Sequence, residues 1–382
     1  MQNPSCLLYQ SEDVRIGDVP LPIIEEDHDV IIRIAYVGIS DSDVQLWLDG
    51  SAEYLVSEEY PLIMGHEASG IVHAVGPAVQ NLQPGDAVTI EPGIACRLCS
   101  RCKLGKYNLC PEMRFAGSPP THGALSKYFK MPADCCYKIP PSVGRPFGLD
   151  EACLIEPLAV AVHSVRQIGV QPGDKVIVFG AGTIGLLCAA VAREHGASMI
   201  TTIDTSRERL DTAHSFVPNG RLAFSSVLMN HALTPSENAR CLRGAMDRQS
   251  YLSESDVPGY DVAIETSGME SYIQMGIYSL RVGGSFVQTG LGPNVDFPMS
   301  AVLENEVNMK GAYKYGPGDF KLALELAFTR KIELQSMIKK VVAFEKFADA
   351  LELIRKGSLK GKVLIRGAGF TDGIDRDSSE ER

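Results

Sequence analysis

The chain lacks any apolar run long enough to span a bilayer, which takes about 20 residues in succession as a helix. Its first stretch, MQNPSCLLYQSEDVRIGDV, lacks the basic start and apolar middle of a secretory signal, so no signal peptide is expected. A positive balance is also missing, because 36 Lys and Arg stand against 47 Asp and Glu, a formal net charge of −11. Such a surface repels nucleic-acid phosphates and anionic lipids, so neither a nucleic acid nor a membrane is expected as partner. An anionic ligand must then be held by local backbone amides and individual cations.

Cysteine is present in number, at ten residues. Cys96, Cys99, Cys102 and Cys110 crowd into CRLCSRCKLGKYNLC with the spacing C-x2-C-x2-C-x7-C. Without a secretory signal this pattern is that of metal binding in a reducing compartment, and a cytoplasmic location is expected. Four thiolates close a tetrahedron and leave no position for water or substrate, which suits a structural zinc. Iron–sulfur binding is the competing metal reading, since Pro111 follows the last cysteine. Ferredoxin runs, however, carry an x3 spacing there, against x7 here. Cys153 and Cys188 lie in apolar segments, where a thiol packs as a small hydrophobe.

A length of 382 residues predicts two domains. Strand-like runs at 30–37, 71–75 and 86–91, punctuated by Gly and Pro, predict a mostly β amino-terminal part. The character changes near Pro157. Residues 158–168 have helical spacing, QPGD at 171–174 is a turn, and KVIVF at 175–179 is a buried strand. An apolar-periodic helix to about His195 and a strand at 199–203 complete a βαβ unit. Alternation continues through 261–266, 270–281 and 285–290, while 215–258 is polar and poorly patterned. KVLIRG at 362–367 is the last expected strand, and the acidic tail TDGIDRDSSEER is expected to be disordered.

GAGTIG, from Gly180 to Gly185, sits between a strand and a helix. In this context Gly180 permits the tight turn, Gly182 lets a pyrophosphate approach the backbone, and Gly185 allows close helix–strand packing. Thr183 and Ile184 open the helix, whose free N–H groups face the phosphates. Asp204 ends the next strand, where a carboxylate accepts from ribose hydroxyls and repels a 2′-phosphate, which predicts NAD over NADP. A glycine turn needed only for packing is the competing reading.

GHEASGIVHAVG at 65–76 and PGDAV at 84–88 resemble the zinc signature of the medium-chain dehydrogenase/reductase superfamily, and the four-cysteine run lies where those enzymes carry their structural zinc. With LIEPLAVAVHSV at 154–165, GAGTIG and KYGPGDFKLAL at 314–324, the chain is similar to the polyol branch of sorbitol, xylitol and arabinitol dehydrogenases, especially fungal ones. The resemblance implies an α/β protein: an inserted Rossmann doubly wound parallel sheet plus a mostly β GroES-like catalytic domain. It places the catalytic domain at 1–156 and 300–382, with the zinc lobe at about 96–110, and the Rossmann domain at 157–299. It also implies NAD(H), a small-molecule substrate, a cleft between the domains as active site and a homo-oligomer, tetramer or dimer. Arg209 matches a family position near the adenosine ribose; an exposed helix charge is the competing reading.

In the resembled enzymes a catalytic zinc is held by a Cys in a VGICGSDVH-like segment and by the His-Glu pair of GHE, with a second Glu beside the metal. His66, Glu67 and Glu156 match, but the first segment reads VGISDSDVQLW, with Ser40 at the thiolate position and Asp41 where Gly is usual. A neutral hydroxyl is a far poorer zinc ligand. A second zinc can bind through His66, Glu67 and Glu156, with Asp41 recruited; it can bind weakly; or the site can be metal-free. Gln45 stands at the position of a proton-relaying His, Leu46 replaces an aromatic that contacts polyol hydroxyls, and Lys314 replaces an Arg before the matched Tyr315. Three functions follow as expectations: NAD(H)-dependent hydride transfer between nicotinamide and a secondary alcohol or ketone with an atypical metal site; a catalytically zinc-free reductase of an activated C=C, C=N or C=O bond in natural-product biosynthesis; and a cofactor-binding pseudoenzyme.

Overall fold

A computed structural model describes residues 2–49, 56–141, 146–217, 223–247, 259–357 and 361–371. The acidic tail expected to be disordered lies, past Thr371, outside the described residues, as do 218–222 and 248–258 of the poorly patterned stretch. Contacts divide the chain into two compact units: Met1–Cys96, Pro111–Glu156 and Ile338–Arg382 form one, Arg97–Cys110 and Pro157–Met337 the other.

The first unit is organised by the strand Asp29–Gly38, DVIIRIAYVG, which is buried almost throughout. Its apolar run belongs to a strand covered on both faces rather than to an alternating surface strand. It pairs antiparallel with Glu67–Val75 on one side, and with Lys362–Arg366 and Tyr128–Pro132 on the other parts of its length. The sheet runs Cys136–Lys138, Ala87–Ile90, Glu67–Val75, Asp29–Gly38, Lys362–Arg366, Ile338–Val342. Val44 and Trp47 of the helix Asp41–Asp49 join its core with Ile32, Ile34, Met64 and Leu125. The register sets Gly38 opposite Glu67, and Leu364 opposite Gly38. The start of Glu67–Val75 and the start of Lys362–Arg366 therefore meet at the end of the central strand.

The second unit is a parallel sheet of six strands in the order Ala223–Leu228, Met199–Asp204, Lys175–Phe179, Tyr260–Glu265, Leu280–Gln288, Asn308–Gly311. Counted along the chain this is 3-2-1-4-5-6, the doubly wound order, with its reversal between Lys175–Phe179 and Tyr260–Glu265. The periodic segments at 175–179, 199–203, 261–266 and 285–290 are strands, joined by the helices Thr183–Glu194, Arg207–Phe216, Pro235–Asp247 and Glu270–Ser279. The unit continues to Met337, past the expected end at 299. The reason is the sixth strand, Asn308–Gly311, which pairs with Leu280–Gln288 and carries the following helix Asp319–Phe328 with it. No helix among the described residues is long and apolar enough to cross a membrane.

Candidate functional site

Among the described residues, two groups of side chains have metal-ligand geometry. In the first unit His66, Glu67 and Glu156 each place a donor atom within 4.8 Å of the others. Glu67 is 2% exposed, and its Oε1 accepts from the equally buried Lys362 Nζ at 2.5 Å. The approach needs Gly38, because any Cβ there would overlap the Glu67 carboxylate. Oε2 of Glu67 is buried with no hydrogen-bond partner. An orphan carboxylate oxygen in the interior costs free energy unless a cation or donor meets it. The Glu67 carboxylate, with one oxygen unpartnered and a donor near those of His66 and Glu156, fits a divalent metal, and the donor set is nitrogen and oxygen only.

Asp43 is the group that reasoning from sequence missed. It is 2% exposed and turns Oδ1 toward His66 Nδ1 at 3.5 Å. Burial opposes charge on His66, but Asp43, then Glu156 and Glu67, outweigh it and raise the imidazole to about 9. Burial likewise opposes charge on Asp43, yet His66 and the bonds from Ser40 hold its carboxyl below the usual range. Lys362 is raised above its ordinary value against the cost of burial, by Glu67 first and then by Asp41 and Asp43. Lys362 too had no local signal; it arrives from the carboxy-terminal strand.

Ser40 has a different task in this fold. Its Oγ accepts from Asp43 N at 3.1 Å while Asp43 Oδ2 accepts from Ser40 N at 2.9 Å. This reciprocal pair caps the helix Asp41–Asp49 and is worth about 1 kcal/mol. Ser40 Oγ also donates to Asp43 Oδ2 at 2.7 Å. The hydroxyl is thus committed to the helix start. Asp41 and Gln45 are exposed, and Gln45 donates to Asp49 one turn on. Leu46 is half-buried and packs on the core of the first unit.

In the second unit Gly182 caps the helix Thr183–Glu194, with Thr183 and Ile184 partly exposed in its first turn. A Cβ at Gly185 would fall on the carbonyl oxygen of Gly180, whereas a Cβ at Gly182 would meet nothing within 4 Å. One glycine serves packing, and the other leaves open space in front of a helix N-terminus, the cradle a pyrophosphate needs. Asp204 is 2% exposed; Oδ2 accepts from Ala181 N at 2.7 Å and Oδ1 from Ser206 N at 2.8 Å. The acid therefore ties the glycine turn to its own strand end. Exposed Arg209 reaches it at 3.8 Å.

Cys96, Cys99, Cys102 and Cys110 also gather within 4.8 Å of one another. Cys99 Sγ lies 3.6 Å from that of Cys102 and 3.9 Å from that of Cys110. A tetrahedral zinc with bonds of about 2.3 Å sets its sulfurs about 3.8 Å apart. The cluster fits one ion and has no room for a multi-iron core. Lys314 and Tyr315 lie in the turn before Asp319–Phe328, Lys314 with a left-handed φ of 56° and Tyr315 2% exposed against the Phe320 ring. Asp319 anchors this turn: it accepts from Gly316 N at 2.7 Å, contacts His163 Nδ1 at 2.7 Å and pairs with Arg166.

Two family models match, the alcohol dehydrogenase GroES-like domain over residues 26–141 and the zinc-binding dehydrogenase over 183–329. The chain is 43% identical to the probable D-xylulose reductase A of Aspergillus terreus, over 96% of this chain and 98% of that protein. The chain belongs to the polyol-dehydrogenase branch of the medium-chain dehydrogenase/reductase family. D-xylulose reductase A of Aspergillus niger is 42% identical over 96% of this chain and 97% of its own. Among solved structures, an oxidoreductase/dehydrogenase of unknown specificity from Escherichia coli superposes with a TM-score of 0.84 at 27% identity, covering 96% of this chain and all of that one. Galactitol-1-phosphate dehydrogenase from Escherichia coli gives 0.81 at 25% identity, over 95% of this chain and 99% of the other. As a member of this family the chain is an oxidoreductase of GroES-like and Rossmann build.

Proposed function

We propose that the chain is an NAD(H)-dependent dehydrogenase of the polyol type, moving hydride between a nicotinamide and a secondary alcohol or its ketone, with D-xylulose the first ketone to test. The observation that carries this reading is Glu67 Oε2, buried and unpartnered in a carboxylate that stands with His66 and Glu156. His66, Glu67 and Glu156 would hold a divalent metal, and a metal so held supplies Lewis acidity toward a substrate oxygen. Asp43 orients the His66 ring, and Lys362 orients the Glu67 carboxylate, so both donors are fixed before any ligand arrives. The amides at Gly182–Gly185 are placed for a pyrophosphate, and the negative charge of Asp204 supports NAD over NADP. The Cys96–Cys110 lobe would hold a structural zinc.

A second reading is a metal-free reductase of an activated C=C, C=N or C=O bond. It is favoured by the commitment of Ser40 to its helix cap, which leaves the donor set without sulfur. Turnover of D-xylulose with NADH against NADPH tests the main reading. We expect oxidation of NADH, with NADH preferred by about tenfold or more because a 2′-phosphate beside a carboxylate is penalised. Preference for NADPH would contradict the cofactor assignment. Turnover confined to activated alkenes or imines would favour the second reading, and tight NADH binding without turnover on either panel would favour a cofactor-binding pseudoenzyme.

A further inference from the structure

The cysteine lobe does more than close around an ion. Its single 3-10 turn, Tyr107–Leu109, directly precedes Cys110. From that turn Asn108 Nδ2 donates to the carbonyl of Tyr313 at 2.9 Å, and Tyr107 Oη donates to the carbonyl of Gly316 at 3.3 Å. These carbonyls bracket Lys314 and Tyr315. Lobe and turn belong to the same compact unit, although about two hundred residues separate them.

The bracketed segment needs holding. Lys314 is a non-glycine residue at φ 56°, a conformation that costs about 1–3 kcal/mol and persists only when its surroundings fix it. On its far side Gly316 N is held by Asp319, which His163 and Arg166 hold in turn. On its near side Ala312 N donates to the Gln288 carbonyl at 2.9 Å and Asn108 holds the Tyr313 carbonyl, while Tyr107 adds its bond to Gly316 on the far side. Asn108 is 9% exposed, so its bond to Tyr313 is shielded from water. Cys110 N donates to the Tyr107 carbonyl at 2.9 Å and so closes the turn that carries Tyr107 and Asn108. An ion held by Cys110 would thereby order Lys314 and Tyr315 through two hydrogen bonds.

We propose that Asn108, assisted by Tyr107, is a positioning residue that makes the metal lobe the mount for the Lys314–Tyr315 turn. The proposal rests, for its consequence on catalysis, on what the family resemblance implies, that Lys314 and Tyr315 stand at positions of the catalytic site. Its structural part stands on the hydrogen bonds alone.

The test compares Asn108→Ala, Tyr107→Phe and the pair with the unaltered holoenzyme. Four quantities are read: zinc per chain, hydrogen exchange by peptide, NADH affinity, and KM against kcat for D-xylulose. Zinc content is expected to stay the same, since no cysteine is changed. Exchange is expected to rise in peptides covering 312–319 and not in those covering the strand 175–179. KM is expected to rise about five- to tenfold in the pair, with kcat changed less than about twofold and NADH affinity unchanged. Faster exchange with an unchanged KM supports the mount and removes the substrate role of the turn. Unchanged exchange at 312–319 with zinc retained overturns the proposal, whatever KM does. Should the pair lose zinc or fold poorly, Tyr107→Phe, which deletes one oxygen, is read by the same exchange criterion.

Discussion

Lys362→Met is expected to destabilise the chelator-treated protein by about 3 kcal/mol, because it takes from the buried Glu67 carboxylate the cation bonded to its Oε1 and leaves it His66 alone. Glu67 is 2% exposed and Lys362 4% exposed, so the pair is largely removed from water. With several kcal/mol lost from a unit of this size, the first thermal transition should fall by about 10 °C. Glu67→Leu combined with Lys362→Met removes both charges and should recover most of that loss, since apolar replacement of a buried pair is often neutral. Added divalent metal should also restore part of the Lys362→Met loss, because a cation at His66, Glu67 and Glu156 meets the same carboxylate. Thermal unfolding of the single and double variants, with and without metal, reads all three effects. A single variant within about 1 kcal/mol of the parent would contradict this account of the cluster, since such pairs are costly to break.

Gly182→Val should act on ligand affinity and leave the fold almost untouched. Apart from its chain neighbours, nothing among the described residues lies within 4 Å of a Cβ at Gly182, and its φ of −78° is open to any residue. That space is the one through which a pyrophosphate would approach the helix amides. NADH affinity is expected to fall about 100-fold, close to 3 kcal/mol, with the transition temperature shifted by no more than about 3 °C. Gly185→Val offers the contrast. Its Cβ collides with the Gly180 carbonyl, so both stability and affinity should fall. Fluorescence titration with NADH beside thermal unfolding separates the two glycines. An unaltered NADH affinity in Gly182→Val would mean that the dinucleotide does not cross this turn.

Much of the second unit was legible because its strands are short apolar runs between helices of clear period. KVIVF, MITTI and DVAIET read as strands by pattern alone, and strands stand at Lys175–Phe179, Met199–Asp204 and Tyr260–Glu265. The sixth strand, NMKG at 308–311, carries no such pattern: all four residues are exposed, so nothing in residue identity marks it as continuing the sheet past 299. At the His66 cluster the resemblance pointed to three donors but drew attention to Ser40 as a lost ligand. The S-x-x-D spacing of Ser40 and Asp43 was a readable capping signal, and it explains why a serine is useful there. Lys362 could not be read locally, because its pairing with Glu67 depends on sheet order across 295 positions. The hydrogen bonds from the cysteine lobe to the Tyr313–Gly316 carbonyls are hidden for the same reason: backbone acceptors leave no trace in residue identity.

The central proposal is that a thiolate-free set, His66, Glu67 and Glu156, would hold a catalytic metal in addition to a structural zinc at the four cysteines. Metal per chain, counted by mass spectrometry before and after limited chelation and set against NADH-dependent D-xylulose reduction, tests it most directly. The account predicts two equivalents at the start. Chelation should remove the oxygen- and nitrogen-bound equivalent first, with activity lost in step, while the thiolate-bound zinc stays. One equivalent per chain, with full activity that survives chelation, would contradict it.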